Sequence, residues 1–288
     1  MANTITLRRR INSIKNTRQI TKAMELVSAS KMRKAQTQAA RSRDYRNAAN
    51  RLLLRLSTMS EVERQPLFRK RKVRTRLYVV ITSNSGLAGA YNANVLKLLT
   101  GSIQQDRKAG VKSRVITIGN KAAQYVRRLQ NVELLAAYHA FGDEPTANDI
   151  RPVLNTLVDS FRGEEIDEAG VIYTQFVSQL NQITQHQILL PAHAEDSEER
   201  GPAISNFEPD VETVLHHTAV RLIEAQLWQA LLESLASEHS MRMVAMKNAT
   251  DNANELIDDY TLEYNTARQG AITQELAEIS GGVEALKD

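Results

Sequence analysis

Apolar and small side chains recur at alternating steps of four and three along the C-terminal part of this chain. Leu232, Ala236, His239, Met243, Met246, Thr250, Ala253, Ile257, Tyr260, Tyr264, Ala267 and Ala271 keep that spacing without drift. An undrifting seven-residue period predicts a helix wound left-handedly around a partner helix. The stretch that carries it, Asp210 to Gln269, holds neither glycine nor proline over sixty residues. It predicts one continuous helix, roughly 90 Å long at about 1.5 Å per residue.

The N-terminal end repeats the pattern. The first proline is Pro66 and the first glycine is Gly86, so Asn3 to about Met59 predicts a second long helix. Its seam runs through Leu7, Ile11, Ile14, Arg18, Thr21, Glu25, Ser28, Met32, Ala35, Ala39, Ser42, Arg46, Ala49, Leu53 and Leu56. The seam is apolar at its ends and small or polar in its middle. Two heptad helices at opposite ends of one chain predict an antiparallel intramolecular coiled coil; a homodimeric coiled coil with a separate head is the competing arrangement. Between Arg18 and Ser28 the apolar residues Ile20, Met24 and Val27 sit one position off the seam, about 100° around the helix. That displacement fits a local stutter, or an apolar stripe that faces something other than the partner helix.

After the basic run Arg69-Lys70-Arg71-Lys72 the period changes from that of helices to that of strands. Arg76–Thr82, Arg114–Ile118, Val132–Tyr138, Gly170–Val177 and Gln185–Leu190 read as strands, with helices at Asn94–Arg107, before Arg128, and around Asn148–Phe161. Strands alternating with helices predict a mostly parallel sheet. The expected fold class is therefore α/β: a long antiparallel coiled coil of the N- and C-terminal helices with an inserted, Rossmann-like α/β domain. The expected divisions are a coiled-coil helix over residues 1–65, the α/β domain over 76–191, an acidic connecting loop over 192–209 and a second coiled-coil helix over 210–288.

Charge sharpens the pairing. The net charge of +4 conceals a segregation: residues 1–76 hold 21 Lys and Arg against 4 Asp and Glu, while residues 210–288 hold 5 against 14. Opposite signs favour pairing of the two arms with each other over pairing of like arms. A basic arm also fits nucleic acid or an acidic protein surface, but no aromatic residues beyond Tyr45 are interleaved with its cations, so a nucleic-acid-binding coiled coil rests on charge alone.

The absence of cysteine excludes disulfides and thiolate metal sites. No apolar run approaches the roughly 18 residues of a membrane span, so a soluble or peripherally attached protein is expected. The first 24 residues lack acids, as transit peptides do; the unbroken seam Leu7, Ile11, Ile14 favours reading them as the start of the helix itself.

Catalytic signatures are sparse. Gly86-Leu-Ala-Gly89 follows the first strand, where phosphate loops occur, but it lacks the GxGxxG spacing and a GK[ST] ending. An ordinary strand-to-helix turn accounts for it, with a nucleotide-binding regulatory domain as the competing reading. The six histidines form no HExxH set, and His239 falls on the seam, where a buried, hydrogen-bonded ring is expected. Asp258, Asp259 and Glu263 lie off the seam on a solvated face. No catalytic, cofactor or metal site is expected.

Longer blocks carry a resemblance. Ile20-Thr-Lys-Ala-Met-Glu-Leu-Val-Ser-Ala-Ser-Lys-Met-Arg-Lys34 is similar to the N-terminal signature of the gamma subunit of F-type ATP synthases, and Ser83-Asn-Ser-Gly-Leu-Ala-Gly-Ala-Tyr-Asn92 to the turn after the first strand of that family's head. Ser237–Asn252 and Ala267–Ile279 resemble its C-terminal blocks. The resemblance implies a central stalk, one copy per complex, whose coiled coil lies inside a ring of three alpha and three beta subunits and whose foot meets epsilon and the c-subunit ring. It implies mechanical coupling of c-ring rotation to the catalytic ring, with no phosphate chemistry, no cofactor and no direct nucleic-acid contact in this chain. It also implies a peripheral place on the cytoplasmic side of the cell inner membrane if the source is bacterial. By the same resemblance Met24 matches a methionine facing the moving beta lobe. Arg242, Gln269 and Thr273 match positions of rotor–ring contact, and Glu275 lies in the same signature. Phe207 and Glu208, with Pro209, resemble the foot segment near the c ring, with Phe where Tyr is frequent.

Overall fold

The computed structural model describes residues 4–56, 65–142, 145–192 and 211–285. In chain order the elements are helix α1 (Thr4–Leu56), a 3-10 turn (Pro66–Phe68), strand β1 (Thr75–Ile81), α2 (Tyr91–Ala109), β2 (Lys112–Ile118), α3 (Asn120–Val126), β3 (Glu133–Tyr138), α4 (Arg151–Arg162), β4 (Glu168–Phe176), β5 (Gln182–Leu190) and α5 (Val211–Ala285). All five expected strands are present, and α2 begins earlier than expected, at Tyr91. Phe207, Glu208 and Pro209 lie outside the described residues, as does nearly all of the expected acidic loop.

The chain forms two compact units, one of Met1–Val27 with Met243–Asp288 and the other of Ser28–Arg242. The first is a helix pair. Arg10 stacks over the Tyr260 ring with its guanidinium carbon 5.9 Å from the centroid, Arg18 Nη1 donates to Asn254 Oδ1 at 3.2 Å, and Thr21 Oγ1 lies 2.8 Å from Thr250 Oγ1. Numbers rise along α1 as they fall along α5, so the pair is antiparallel. The buried positions follow the heptad spacing: Leu7, Ile11 and Thr21 on α1 face Met246, Thr250, Ala253 and Ile257 on α5, while Ile14, Arg18 and Glu25 are half-buried. Periodic burial of this kind is the main source of stability for a helix exposed on its remaining faces.

The second unit is a five-stranded sheet in the order β3-β2-β1-β4-β5. β1 pairs in parallel with β2 and β4, β2 with β3, and β5 closes one edge antiparallel to β4. Helices cover both faces, which is why β1 reads as an unbroken apolar run. Leu77, Val79 and Ile81 point to the side of α4 and α5, with Val171 and Tyr173 of β4. Tyr78 and Val80 point to the side of α2 and α3, with Val95, Leu99, Ala122 and Val126. On α1, Ser28, Met32, Ala35, Ala39 and Ser42 are buried at the expected spacing, and Arg43 reaches Glu233 of α5 at 3.8 Å. Between Leu222 and Ser240 α5 is buried nearly all round, as a helix enclosed on several sides must be.

One glycine is obligatory for the turns at the carboxyl ends of the strands. Gly119 has φ +105, and a Cβ there would lie 2.1 Å from the Thr82 carbonyl oxygen. That close approach lets Thr82 cap α3, its Oγ1 accepting from Ala122 N at 2.9 Å. Among the described residues no helix is long and apolar enough to cross a membrane.

Candidate functional site

In an open sheet of this topology ligands ordinarily sit beyond the carboxyl ends of the strands, where the strand order reverses. Here that point falls between β1 and β4, and the turn after β1 is Ser83–Ala90. The side chains of Ser83 and Asn84 in it are already engaged. Asn92 Oδ1 accepts from Ser83 N at 3.1 Å, and Asn84 Oδ1 accepts from Asn120 N at 3.3 Å and Ala140 N at 2.9 Å. On the neighbouring helix α3 the first-turn donors Asn120 N, Lys121 N and Ala122 N are taken up by Asn84, Ser83 and Thr82 rather than left open to a phosphate. The turn behaves as a structural strand-to-helix connection, with Leu87 at its tip in a left-handed conformation (φ 62) and exposed.

The same point is filled by α5. Ser234 Oγ lies 2.7 Å from Tyr91 Oη, Ser237 Oγ donates to the Thr174 carbonyl at 3.0 Å, and Ser240 Oγ donates to the Gln179 carbonyl at 3.0 Å. Arg242 follows on the same helix. Its Nη1 donates to Glu238 Oε1 at 2.7 Å and lies 3.4 Å from His239 Nδ1, and its Nη2 donates to the Gly86 carbonyl at 3.4 Å. Arg242, Glu238 and His239 are all buried. Desolvation and the nearby Glu238 carboxylate both push the Tyr91 phenol up, so it stays protonated. The crevice that hosts ligands in other sheets is occupied by this chain's own helix, and His239 is the buried, hydrogen-bonded ring its seam position predicts.

A titratable cluster lies elsewhere and is internally satisfied. Asp106 is 1% exposed; it accepts from Tyr78 Oη at 2.7 Å and Ser113 Oγ at 3.1 Å and pairs with Arg76, whose Nε donates to Glu168 Oε1 at 2.6 Å. A carboxylate with three donors ties β1, β2 and α2 together and leaves no free nucleophile. Sequence reasoning missed this cluster, because its members are scattered from Arg76 to Glu168 and only the parallel register brings them together. Among the described residues no group of three His, Asp or Glu is placed to hold a metal ion.

The helix pair offers a surface instead. Ile20 and Val27 are 61% and 53% exposed, and Met24 between them is half-buried. Thr21 on the seam is buried. The displaced residues therefore form an outward apolar stripe, bordered by the Lys22–Glu25 ion pair at 3.1 Å. Beside it a shallow groove of about 460 Å³ is lined by Arg18, Gln19, Lys22, Ala23, Leu26, Thr250 and Asn254.

Further along, α5 runs beyond the described residues of α1. Tyr260, Tyr264 and Ala267 are half-buried, and residues 268–280 are all exposed. Gln269, Thr273 and Glu275 lie in that stretch. Thr273 Oγ1 donates to the Gln269 carbonyl at 2.9 Å, so these two share a face, while Glu275 is turned roughly 120° away from Gln269. Ile272, Leu276 and Ile279, at steps of four and three, form an apolar stripe that is 48–64% exposed. This stripe was also missed; its signal was the four-three spacing restarting one position after Ala271, where the seam was expected to end. Met24 and Gln269 are not neighbours. The register set by Thr21 and Thr250 separates them by roughly 30 Å of helix axis, and Arg242 belongs to the other compact unit.

A family model described as ATP synthase matches residues 3–286. The chain is 39% identical over 288 residues to the ATP synthase gamma chain of Xylella fastidiosa (strain M12), covering 99% of this chain and 100% of that one. It is likewise 39% identical to the ATP synthase gamma chain of Moorella thermoacetica, with 100% of both chains covered. Among solved structures, it is similar to a chain of the Euglena gracilis mitochondrial ATP synthase OSCP/F1/c-ring assembly, with a TM-score of 0.69, 20% identity, 98% of this chain and 94% of that chain. A chain of the Tetrahymena thermophila mitochondrial ATP synthase central stalk/c-ring matches with a TM-score of 0.63 and 24% identity, covering 80% of this chain and 99% of that one.

Proposed function

Because the chain belongs to the ATP synthase gamma-chain family, we propose that it is the central shaft of a proton-translocating F-type ATP synthase. It couples rotation of a c-subunit ring to conformational cycling of a catalytic ring. The partners are three alpha and three beta subunits, epsilon and the c ring, with one copy of this chain per complex. The chain itself performs no chemistry, and its attachment to the membrane is peripheral, through the complex. For a bacterial source this is the cytoplasmic side of the inner membrane.

One observation carries the proposal: α5 continues past the described part of α1, exposed on every side over residues 268–280 and bearing Ile272, Leu276 and Ile279. An isolated stretch of that length has little stability of its own in water, and a spaced apolar stripe on it calls for an enclosing surface. A ring around a turning helix supplies one. Contacts spread over a few aliphatic residues, rather than interdigitated along the shaft, let the helix turn within its sleeve.

In this reading Met24, with Ile20 and Val27, meets a moving lobe of the ring, and Gln269, Thr273 and Glu275 meet the ring near the tip. Arg242 acts at one remove: its guanidinium holds the Ser83–Ala90 turn against α5 and so sets how Leu87 is presented. Phe207 and Glu208 are assigned to the c-ring foot.

The test is isolation of the complex through an affinity tag on this chain from detergent-solubilised membranes of its own organism. Alpha, beta, epsilon and c subunits are expected to co-purify with ATPase activity. Recovery of the tagged chain alone, or with nucleic acid released by salt, would overturn the proposal.

A further inference from the structure

A shaft transmits torque only if its foot cannot slip around it, and apolar packing alone is non-directional. The contact of α5 with the sheet in the Ser28–Arg242 unit is not apolar throughout. Three serines at steps of three, Ser234, Ser237 and Ser240, are each fully buried. Each is anchored to a different element: Ser234 to Tyr91 at the start of α2, Ser237 to the carbonyl of Thr174 in β4, and Ser240 to the carbonyl of Gln179 in the β4–β5 turn. Ser234 Oγ also accepts from Thr174 N at 3.5 Å.

The spacing matters. Steps of three on a helix rotate by about 60° each, so the anchors cover about 120° of circumference and about 9 Å of axis. Anchors in a straight line would hinge; anchors spread over an arc oppose both rotation and sliding. For Ser237 and Ser240 the acceptors are main-chain carbonyls of a paired strand and its turn, which cannot rotate away as side chains can, and Ser234 is held both by the Tyr91 hydroxyl and by the Thr174 main-chain N–H. The short side chains also let the helix come close enough for hydroxyl-to-carbonyl bonds to form.

We propose that Ser234, Ser237 and Ser240 are an azimuthal lock that makes α5 and the sheet turn as one body under load. The inference rests on the shaft reading above and assigns these residues a positioning role, distinct from contact with the catalytic ring.

The experiment compares the assembled wild-type complex with one carrying Tyr91→Phe, Ser237→Ala and Ser240→Ala, changes that remove hydroxyls without adding bulk. ATP hydrolysis and ATP-driven proton uptake are measured in sealed vesicles, with and without an opposing proton gradient. The variant is expected to hydrolyse ATP within about twofold of wild type without load. Its uptake per ATP is expected to fall severalfold, and further as the opposing gradient grows. A purely structural role predicts instead less assembled complex, with equal losses of hydrolysis and uptake at every load, and that result overturns the lock. So does unchanged uptake per ATP in a fully assembled variant. A wild-type chain absent from the complex would refute the shaft reading itself, so the two failures are distinguishable.

Discussion

Thr21 Oγ1 and Thr250 Oγ1 lie 2.8 Å apart across the seam of the helix pair, joining residues 229 positions apart in the chain. Both side chains are buried, and each hydroxyl also reaches back into its own helix, Thr21 to the Arg18 carbonyl at 3.0 Å and Thr250 to the Met246 carbonyl at 2.9 Å. With one proton apiece, one hydroxyl donates along its helix and the other donates across. A heptad seam of alkyl groups alone is open to slippage by whole heptads, whereas a matched polar pair fixes a single register.

This pair predicts a specific double-mutant cycle. Thr21→Val or Thr250→Val alone removes the bond across the seam, while the hydroxyl that stays keeps its own-helix carbonyl, and is expected to cost about 0.5–1.5 kcal/mol. The double substitution replaces both groups by apolar ones of similar shape and is expected to cost less than the sum of the singles. Urea denaturation of the isolated chain measures all three; simple additivity would argue against a direct bond.

Met24→Lys places a cation on the outward stripe beside Ile20 and Val27. In the assembled enzyme it is expected to lower ATP-driven proton pumping more than hydrolysis, while the isolated chain, changed at a half-exposed site, loses less than about 0.5 kcal/mol. Vesicle fluorescence quenching read alongside phosphate release checks the split. Pumping equal to wild type would remove Met24 from the coupling surface.

Leu276 is 60% exposed and touches no core. Leu276→Asp is therefore expected to shift the thermal midpoint of the isolated chain by no more than about 2 °C and yet, if the proposed ring encloses this stripe, to reduce activity of the assembled complex severalfold. Full activity would mean that nothing encloses this end of α5.

His186 supplies a pH dependence. Its ring lies 5.3 Å from that of Tyr78, and its Nε2 is buried with no hydrogen-bond partner among the described residues. Burial first, and then the Arg76 cation, lower its pKa, against smaller opposing effects of Glu168 and Asp106. A histidine with a lowered folded pKa stays neutral in the fold while the unfolded chain takes up a proton. Its contribution is complete above the unfolded value of about 6.5 and is lost as pH falls below that value toward the folded pKa. Stability measured in urea is expected to decline from pH 7.5 to 5.5, less steeply in His186→Gln. Parallel profiles for the two proteins would assign the decline to other groups.

The seam was legible in the sequence because heptad spacing is a local property: Leu7, Ile11, Thr21, Met32 and Ala35 on α1, and Thr250 and Ile257 on α5, are all buried as their spacing predicts. The strands were legible because burial on both faces leaves unbroken apolar runs such as Leu77–Ile81. Two displaced apolar groups fared differently. Ile20, Met24 and Val27 stood out against a seam that ran through them, whereas Ile272, Leu276 and Ile279 began where the seam stopped and had no reference to be displaced from. The Arg76–Asp106–Tyr78 cluster and the Arg242 bond to Gly86 depend on long-range register, which no local spacing encodes.

The central claim, that this chain turns inside a catalytic ring, is tested most directly by watching it turn. The complex is immobilised through its beta subunits, a bead is attached through a cysteine introduced at an exposed position of the sheet unit, and ATP is supplied. The account predicts unidirectional rotation with three dwell positions per revolution, stopped when a cross-link ties Gln269→Cys to a beta subunit. A bead that stays fixed while the same molecules hydrolyse ATP at the wild-type rate would contradict it.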